Sequence, residues 1–197
     1  VALTTYNLAK GDEERDMFQI PEILETLIKS NRLGQKTKAG FYRKNEDRSI
    51  DSVNLKTGEY SSQKKVRFDC FRVAKDHQKL VEKLKALVYG DDNGAMYLWE
   101  VTAKILIYSA NRIPEISNDI VNVDNAMKWG FAWELGPFEG WDAIGVRRSV
   151  DRMTSEGKKV PAWVTKMLET GRKTFYRIEN GERTYWDPID NVPMVMK

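Results

Sequence analysis

The chain has 197 residues, 41% of them hydrophobic and 31% charged, with a net charge of +3. That composition suits a folded globular protein able to bury roughly 70% of its extended surface, in one domain or two small ones. The weak charge argues against a nucleic-acid surface, the lone Cys70 rules out an intrachain disulfide and suits the cytoplasm, and no apolar run is long enough to span a bilayer.

Val1 to Lys10, with Val1, Leu3, Leu8 and Ala9, reads as the end of a helix, and hence the chain as part of a longer polypeptide. Gly11 to Asp16 is a solvated acidic loop in which nothing fixes the carboxylates for a metal. Pro21 opens a helix through Ser30, with Ile23, Leu24, Leu27 and Ile28 as its apolar stripe and Leu33-Gly34 as its stop. Phe41 and Tyr42 begin an extended segment. Ile50 to Ser62, with the turn signal Asn54-Leu-Lys-Thr-Gly58, reads as a small hairpin. Lys64 to Lys75 reads as a connector in which Phe68, Phe71 and Val73 pack.

His77, the only histidine, sits among charged residues and reads as a solvated helix start rather than a buried base. Gln78 to Tyr89 is amphipathic, with Gly90 as its cap. Gly94 to Asn111 is apolar nearly all round and predicts a central buried helix. A helix over Asn118 to Lys128 follows, with Ser117 or Asn118 as N-cap and Asp119 favourably placed in the dipole. Met127 to Val146 then packs Trp129, Trp133, Trp141 and two phenylalanines among four glycines. Here Gly130 ends the helix, the chain turns through an aromatic elbow, and Gly136-Pro137 starts a short helix to Gly145. These rings read first as core. Helices over Val146 to Glu156 and from Pro161 to Thr170 precede Asn180-Gly181, a strong hairpin signal between Phe175–Ile178 and Arg183–Trp186. Pro188 to Lys197 reads as a linker.

Two passages repeat. Pro21 to Ile28, Gly34, Phe41-Tyr42 and the turn Thr57-Gly-Glu-Tyr60 are answered by Pro161 to Leu168, Gly171, Phe175-Tyr176 and Gly181-Glu-Arg-Thr-Tyr185. The chain therefore divides into residues 1–62, the end of a first helical domain; a connector, 63–76; a second, complete copy, 77–190; and a tail, 191–197.

Asp124-Asn-Ala-Met-Lys-Trp-Gly130, Leu135-Gly-Pro-Phe-Glu139 and Asp142-Ala-Ile-Gly145 together resemble the helical C-terminal domain of 3-hydroxyacyl-CoA dehydrogenases. Leu33-Gly-Gln-Lys-Thr-Lys-Ala-Gly-Phe-Tyr42 is similar to the signature that closes that domain. The order of segments resembles the multifunctional β-oxidation proteins that carry two such domains in tandem. The resemblance implies a mostly α fold of two tandem helical domains with small β-hairpins. It also implies NAD, held mainly by an N-terminal Rossmann domain that this sequence does not contain, and an acyl-CoA substrate. Further implied partners are an enoyl-CoA hydratase domain or a thiolase, and a homo-oligomer. The family's His-Glu pair belongs to the Rossmann domain and its catalytic asparagine to the first helical copy, upstream of Val1. No asparagine matches it around Met96 to Trp99, so no catalytic residue is assigned here. Two positions carry over: Lys36, whose counterpart reaches the nicotinamide cofactor, and Trp129, at an aromatic position that faces the acyl-CoA.

The residues themselves agree that chemistry is missing. The sequence has no Gly-x-Gly-x-x-Gly fingerprint, no zinc spacing, no phosphate loop, no nucleophile elbow and no histidine paired with a carboxylate. The sequence therefore predicts a chain without turnover of its own, the substrate-side portion of a dehydrogenase. The alternative is a non-catalytic assembly module, because these helical domains form the dimer interface in single-copy members of the family.

Overall fold

The computed structural model describes residues 2–196, with side chains from residue 4 onward, so the apolar side chains of Val1 and Leu3 invoked above lie outside it. Helices dominate, accompanied by two small antiparallel sheets of three strands each. The chain forms two compact units, the first ending at Val66 and the second beginning at Arg67.

In the first unit, α1 (Ala2–Leu8) leads into the acidic loop, which is more ordered than predicted. Its Arg15–Phe18 segment makes a 3₁₀ turn, and Arg15 Nε donates to the Tyr6 carbonyl at 2.9 Å. Pro21 caps α2 (Glu22–Lys29) from just outside, and Leu27 is its buried residue. The helix ends through Asn31 at φ 55°, not through Gly34. Strands β1 (Tyr42–Lys44), β2 (Ile50–Val53) and β3 (Tyr60–Ser62) form a meander. The predicted Asn54 turn is present: its carbonyl accepts Gly58 N–H at 2.8 Å and its Oδ1 accepts Lys56 N–H at 2.9 Å.

The second unit opens earlier than predicted. Asp69–Asp76, read as connector, is helix α3, and it buries Cys70 and Ala74 while Phe71 and Val73 face outward. Asp92 explains the helix: Oδ1 accepts Ala95 N–H at 2.8 Å and Oδ2 accepts Cys70 N–H at 2.7 Å. One carboxylate thus caps α3 and also α5 (Asn93–Asn111). Between them runs α4 (Leu80–Tyr89), ended by Gly90 in an extended conformation instead of a left-handed cap. On α5 only one stripe is buried (Ala95, Trp99, Ala103, Leu106, Ala110); Met96, Tyr97 and Val101 are exposed, so the helix is central but not enclosed.

Helix α6 (Ile120–Phe131) is capped by Asp119 itself, whose Oδ1 accepts Asn122 N–H at 2.7 Å, not by Ser117 or Asn118. Gly130 stays inside it, and the left-handed residue is Ala132 at φ 54°. Helices α7 (Pro137–Ile144) and α8 (Val146–Ser155) meet at Gly145, φ 95°, and α9 (Ala162–Glu169) ends before Gly171, φ 86°. Asn180 and Gly181, both at positive φ, turn β4 (Tyr176–Glu179) into β5 (Glu182–Asp187) as predicted. The supposed tail is β6 (Val192–Val195), paired antiparallel with β5. Pro193 is tolerated there because β6 is an edge strand.

Aromatic rings centre this unit's core. Phe138, Trp141, Trp163 and Phe175 pack with centroids 5.2–5.9 Å apart, and the Trp141 indole N–H donates to Ser149 Oγ at 2.6 Å. A buried indole needs such a partner.

The two units share the element order of the repeat, with two corrections, the first being that Asn31 and not Gly34 stands where Gly171 ends its helix. Each copy runs Pro-capped helix, link, three-stranded meander; Val53 N–H donates to Phe41 O at 2.9 Å, as Trp186 N–H does to Phe175 O at 2.8 Å. Gly58, however, lies between the second and third strands of its sheet and Gly181 between the first and second, so these two turns do not correspond.

Candidate functional site

The aromatic elbow and the helices that flank it form the candidate site. Residues 132–136 connect α6 to α7. A helix start leaves backbone N–H groups without intrahelical partners, and Gly136 has no side chain to satisfy them. Asp124, in the middle of α6, does so from across the bend. Its Oδ1 accepts Phe138 N–H at 2.8 Å, and its Oδ2 accepts Glu139 N–H at 3.0 Å and the Tyr176 hydroxyl at 2.8 Å. The Glu139 side chain accepts Gly136 N–H at 3.1 Å and pairs with Lys128 at 2.9 Å. This close approach requires Gly136, since a Cβ there would lie 2.4 Å from Asp124.

A second buried carboxylate continues the arrangement. Asp142 of α7 accepts Phe175 N–H at 2.7 Å and Tyr176 N–H at 2.9 Å, fixing the first residues of the β4 hairpin. Tyr176 therefore touches both acids, and α6, α7 and β4 are tied in a ring. Burial pushes Asp142 up to about 7 and Asp124 up to about 6, against the hydrogen bonds that favour their charged forms. Burial, then the adjacent Asp124 charge, pushes the Tyr176 phenol up. Glu139 lies below its usual range because hydrogen bonds from Lys128 and Gly136 N–H outweigh its partial burial. Asp124, Gly136 and Asp142, the residues of the sequence pattern, are thus architectural. Sequence reasoning singled them out without finding this role. The available signal was an acid within an apolar helix face, combined with a helix start lacking its own capping side chain.

Beside the elbow lies an apolar groove of about 380 Å³, lined by Leu80, Leu84, Ile105, Trp133, Leu135 and Ile144. Trp129 is not part of its wall. That ring is 80% exposed, on the last turn of α6, so the core reading fails for Trp129 and holds for Trp141. Lys36 lies in the first unit, on a 3₁₀ turn over Gln35–Thr37. Gly34 N–H donates to Ala39 O at 2.8 Å, and Thr37 Oγ1 accepts Leu33 N–H at 2.8 Å while donating toward the Gly34 and Ala39 carbonyls. A Cβ on Gly40 would meet Gly34 Cα at 2.8 Å, which accounts for Gly40, while Gly34 is required by its φ of 118°. The loop turns Lys36 out to solvent.

His77, expected to stand without a carboxylate partner, has its Nδ1 3.7 Å from the Glu82 carboxylate, and neither residue lines the groove; no group of three metal-binding side chains occurs among the described residues. No helix among them is long and apolar enough to cross a membrane.

No family model matches the chain, and no solved structure does. It is 40% identical over 187 residues to a protein named a probable 3-hydroxyacyl-CoA dehydrogenase from Bacillus subtilis, covering 95% of the chain and 23% of that relative. Proteins named as fatty acid oxidation complex trifunctional enzymes from Rickettsia felis and Rickettsia prowazekii are 25% and 24% identical over 148 residues, 70% of the chain and 19% of each relative. By sequence, then, the chain is a relative of the 3-hydroxyacyl-CoA dehydrogenases, spanning about a quarter of the length of such a protein.

Proposed function

We propose that the chain is the helical, substrate-side portion of an NAD-dependent 3-hydroxyacyl-CoA dehydrogenase of fatty-acid β-oxidation, which converts 3-hydroxyacyl-CoA to 3-oxoacyl-CoA in the cytoplasm. The 40% identity to the Bacillus protein over 95% of the chain carries this reading. In it, residues 1–62 close one helical domain. Residues 77–190 form the second, complete copy, and α3 and β6, which flank that span, support extending it at both ends.

The described residues do not by themselves fit a dinucleotide. Thr37 is occupied by backbone partners, so the Lys36 loop offers the two exposed ammonium groups of Lys36 and Lys38 and no hydroxyl for a phosphate. Lys36 is assigned a supporting contact to the cofactor, and Trp129 an aromatic surface toward the acyl-CoA. Dinucleotide binding and proton transfer fall to the rest of the protein.

The purified chain should produce no NADH from 3-hydroxybutyryl-CoA and NAD, and turnover by it would overturn this division of labour. In the intact dehydrogenase, Lys36→Ala should raise KM for NAD more than for acyl-CoA, a loss on the order of 1 kcal/mol for a partly exposed contact. Trp129→Ala should raise KM for acyl-CoA, and Trp129→Tyr should restore it. Unchanged KM values in both variants would remove these residues from the site. The exposed Trp129 and Phe131 favour a second reading, an assembly surface. Concentration-dependent association abolished by Trp129→Ala, with KM unaltered, would select it.

A further inference from the structure

One residue in the wall of the apolar groove is not explained by the fold. Gly140 lies in the body of α7, its N–H on the Gly136 carbonyl at 2.8 Å, without the positive φ that Gly145 shows. No neighbour presses on it either, since a Cβ there would meet nothing within 4 Å. An interior glycine weakens a helix relative to alanine, so this position forgoes stability that a methyl group would restore. What the missing side chain leaves is room. Gly140 opens the groove between Leu84, Thr102 and Ile105 on one side and Leu135 and Ile144 on the other.

We infer that this groove binds the hydrocarbon chain of an acyl ester or thioester, at a place separate from the surface assigned to Trp129. Its size fits one chain. An apolar cavity of about 150 Å³ holds a six-carbon ring, so a groove of about 380 Å³ suits a chain on the order of a dozen carbons. A protein partner fits less well, because 13 residues line the groove, against roughly 20–30 a side in a stable protein interface. The charge selects the chain's polar end. Among the described residues no lysine, arginine or histidine lines the groove, and Glu134 is the one ionisable group in its wall. A free fatty acid would bring its carboxylate toward Glu134 with no cation to pair it, whereas an ester or thioester carries no charge at that point. The inference stands on the groove and Gly140 and not on the dehydrogenase reading, and its failure would leave that reading intact.

The test is a titration of the methyl-labelled full chain with dodecanoyl-CoA below its micelle concentration, followed by methyl chemical shifts. Saturable shifts at Leu84, Ile105 and Ile144 are expected, and none with acetyl-CoA, which keeps the headgroup and lacks the chain. Dodecanoate should bind about five-fold more weakly than the thioester, the repulsion of two carboxylates roughly 4 Å apart in water, and Glu134→Gln should narrow that gap. Gly140→Leu, which fills the groove from α7, should abolish binding without lowering the urea midpoint, and Thr102→Phe should block it from α5. Methyl signals unmoved by dodecanoyl-CoA, as in a groove kept for a protein side chain, overturn the proposal. So do equal shifts with acetyl-CoA, tighter binding of dodecanoate, or undiminished binding in both filled variants.

Discussion

A methyl group has nowhere to go at Gly136, where its Cβ would press on Asp124, while Gly140, one turn further along α7, faces open space. The same substitution should therefore act in opposite directions. Gly136→Ala should cost about 3 kcal/mol, as an overpacked contact between two helices. Gly140→Ala should add about 0.5–1 kcal/mol by restricting the unfolded chain. Urea midpoints at constant m measure both, and an unshifted Gly136→Ala would mean that Asp124 does not hold α7. The buried acids make a second prediction. Asp142 at about 7 and Asp124 at about 6 lie above the unfolded value of about 3.9. Between roughly pH 4 and 7 the folded state therefore binds more protons, so stability falls as pH rises through that window and levels off above it. Asp92 acts oppositely. The Cys70 and Ala95 N–H groups hold it low, and its contribution is lost only as pH drops below about 4. Urea midpoints should thus be higher near pH 5 than near pH 7.5, with the difference reduced in Asp142→Asn. A midpoint that climbed from pH 5 to 7.5 would contradict the assignment.

At the scale of elements, α6 and α7 each carry a tryptophan, with opposite consequences. Trp141→Ala should cost about 3–5 kcal/mol, because it empties the aromatic core and takes the indole donor from Ser149. Trp129→Ala should stay within about 0.5 kcal/mol, as expected for an exposed side chain. Thermal melts compare them, and equal destabilisation would return Trp129 to the core. What could be read in the sequence follows the same division between local and distant causes. Pro21, Gly136-Pro137, Pro161 and Asn180-Gly181 mark their boundaries by their own backbone restrictions, and these elements lie where the sequence puts them. Helix α3 was missed because its buried residues are the small Cys70 and Ala74 and its cap, Asp92, is 22 residues from Cys70. Strand β6 was missed because Val-Pro-Met-Val has no strand pattern of its own and is recruited by pairing with β5. Gly130 was misread because helix exit is set by where α7 must meet Asp124, not by glycine alone. Asp124 and Asp142 had visible positions but invisible partners, since Phe138 and Tyr176 reach them only after folding. Lys36 and Trp129 came from resemblance, and both side chains are exposed.

For the whole molecule, the two units differ in how much they enclose. The second holds a continuous core from Val88 to Trp186, whereas the first buries chiefly Leu27 and Val53. A polypeptide beginning at Phe68 should therefore keep its helical circular dichroism and unfold cooperatively, and loss of structure in it would refute the division at Arg67. Trypsin offers a way to prepare it. Lys64, Lys65 and Arg67 are exposed between β3 and α3, in neither helix nor strand, and such segments are nicked first. Lys36 and Lys38 are as exposed but sit in a loop pinned at its neck by the Gly34–Ala39 hydrogen bond and across its middle by Thr37. A protease must draw several residues out straight before it can cut, and this loop resists being drawn. A small acylating reagent needs only the ammonium. The Lys36 clasp should therefore be labelled readily while its peptide bonds survive, so that chemical reach and enzymatic reach part company at one lysine.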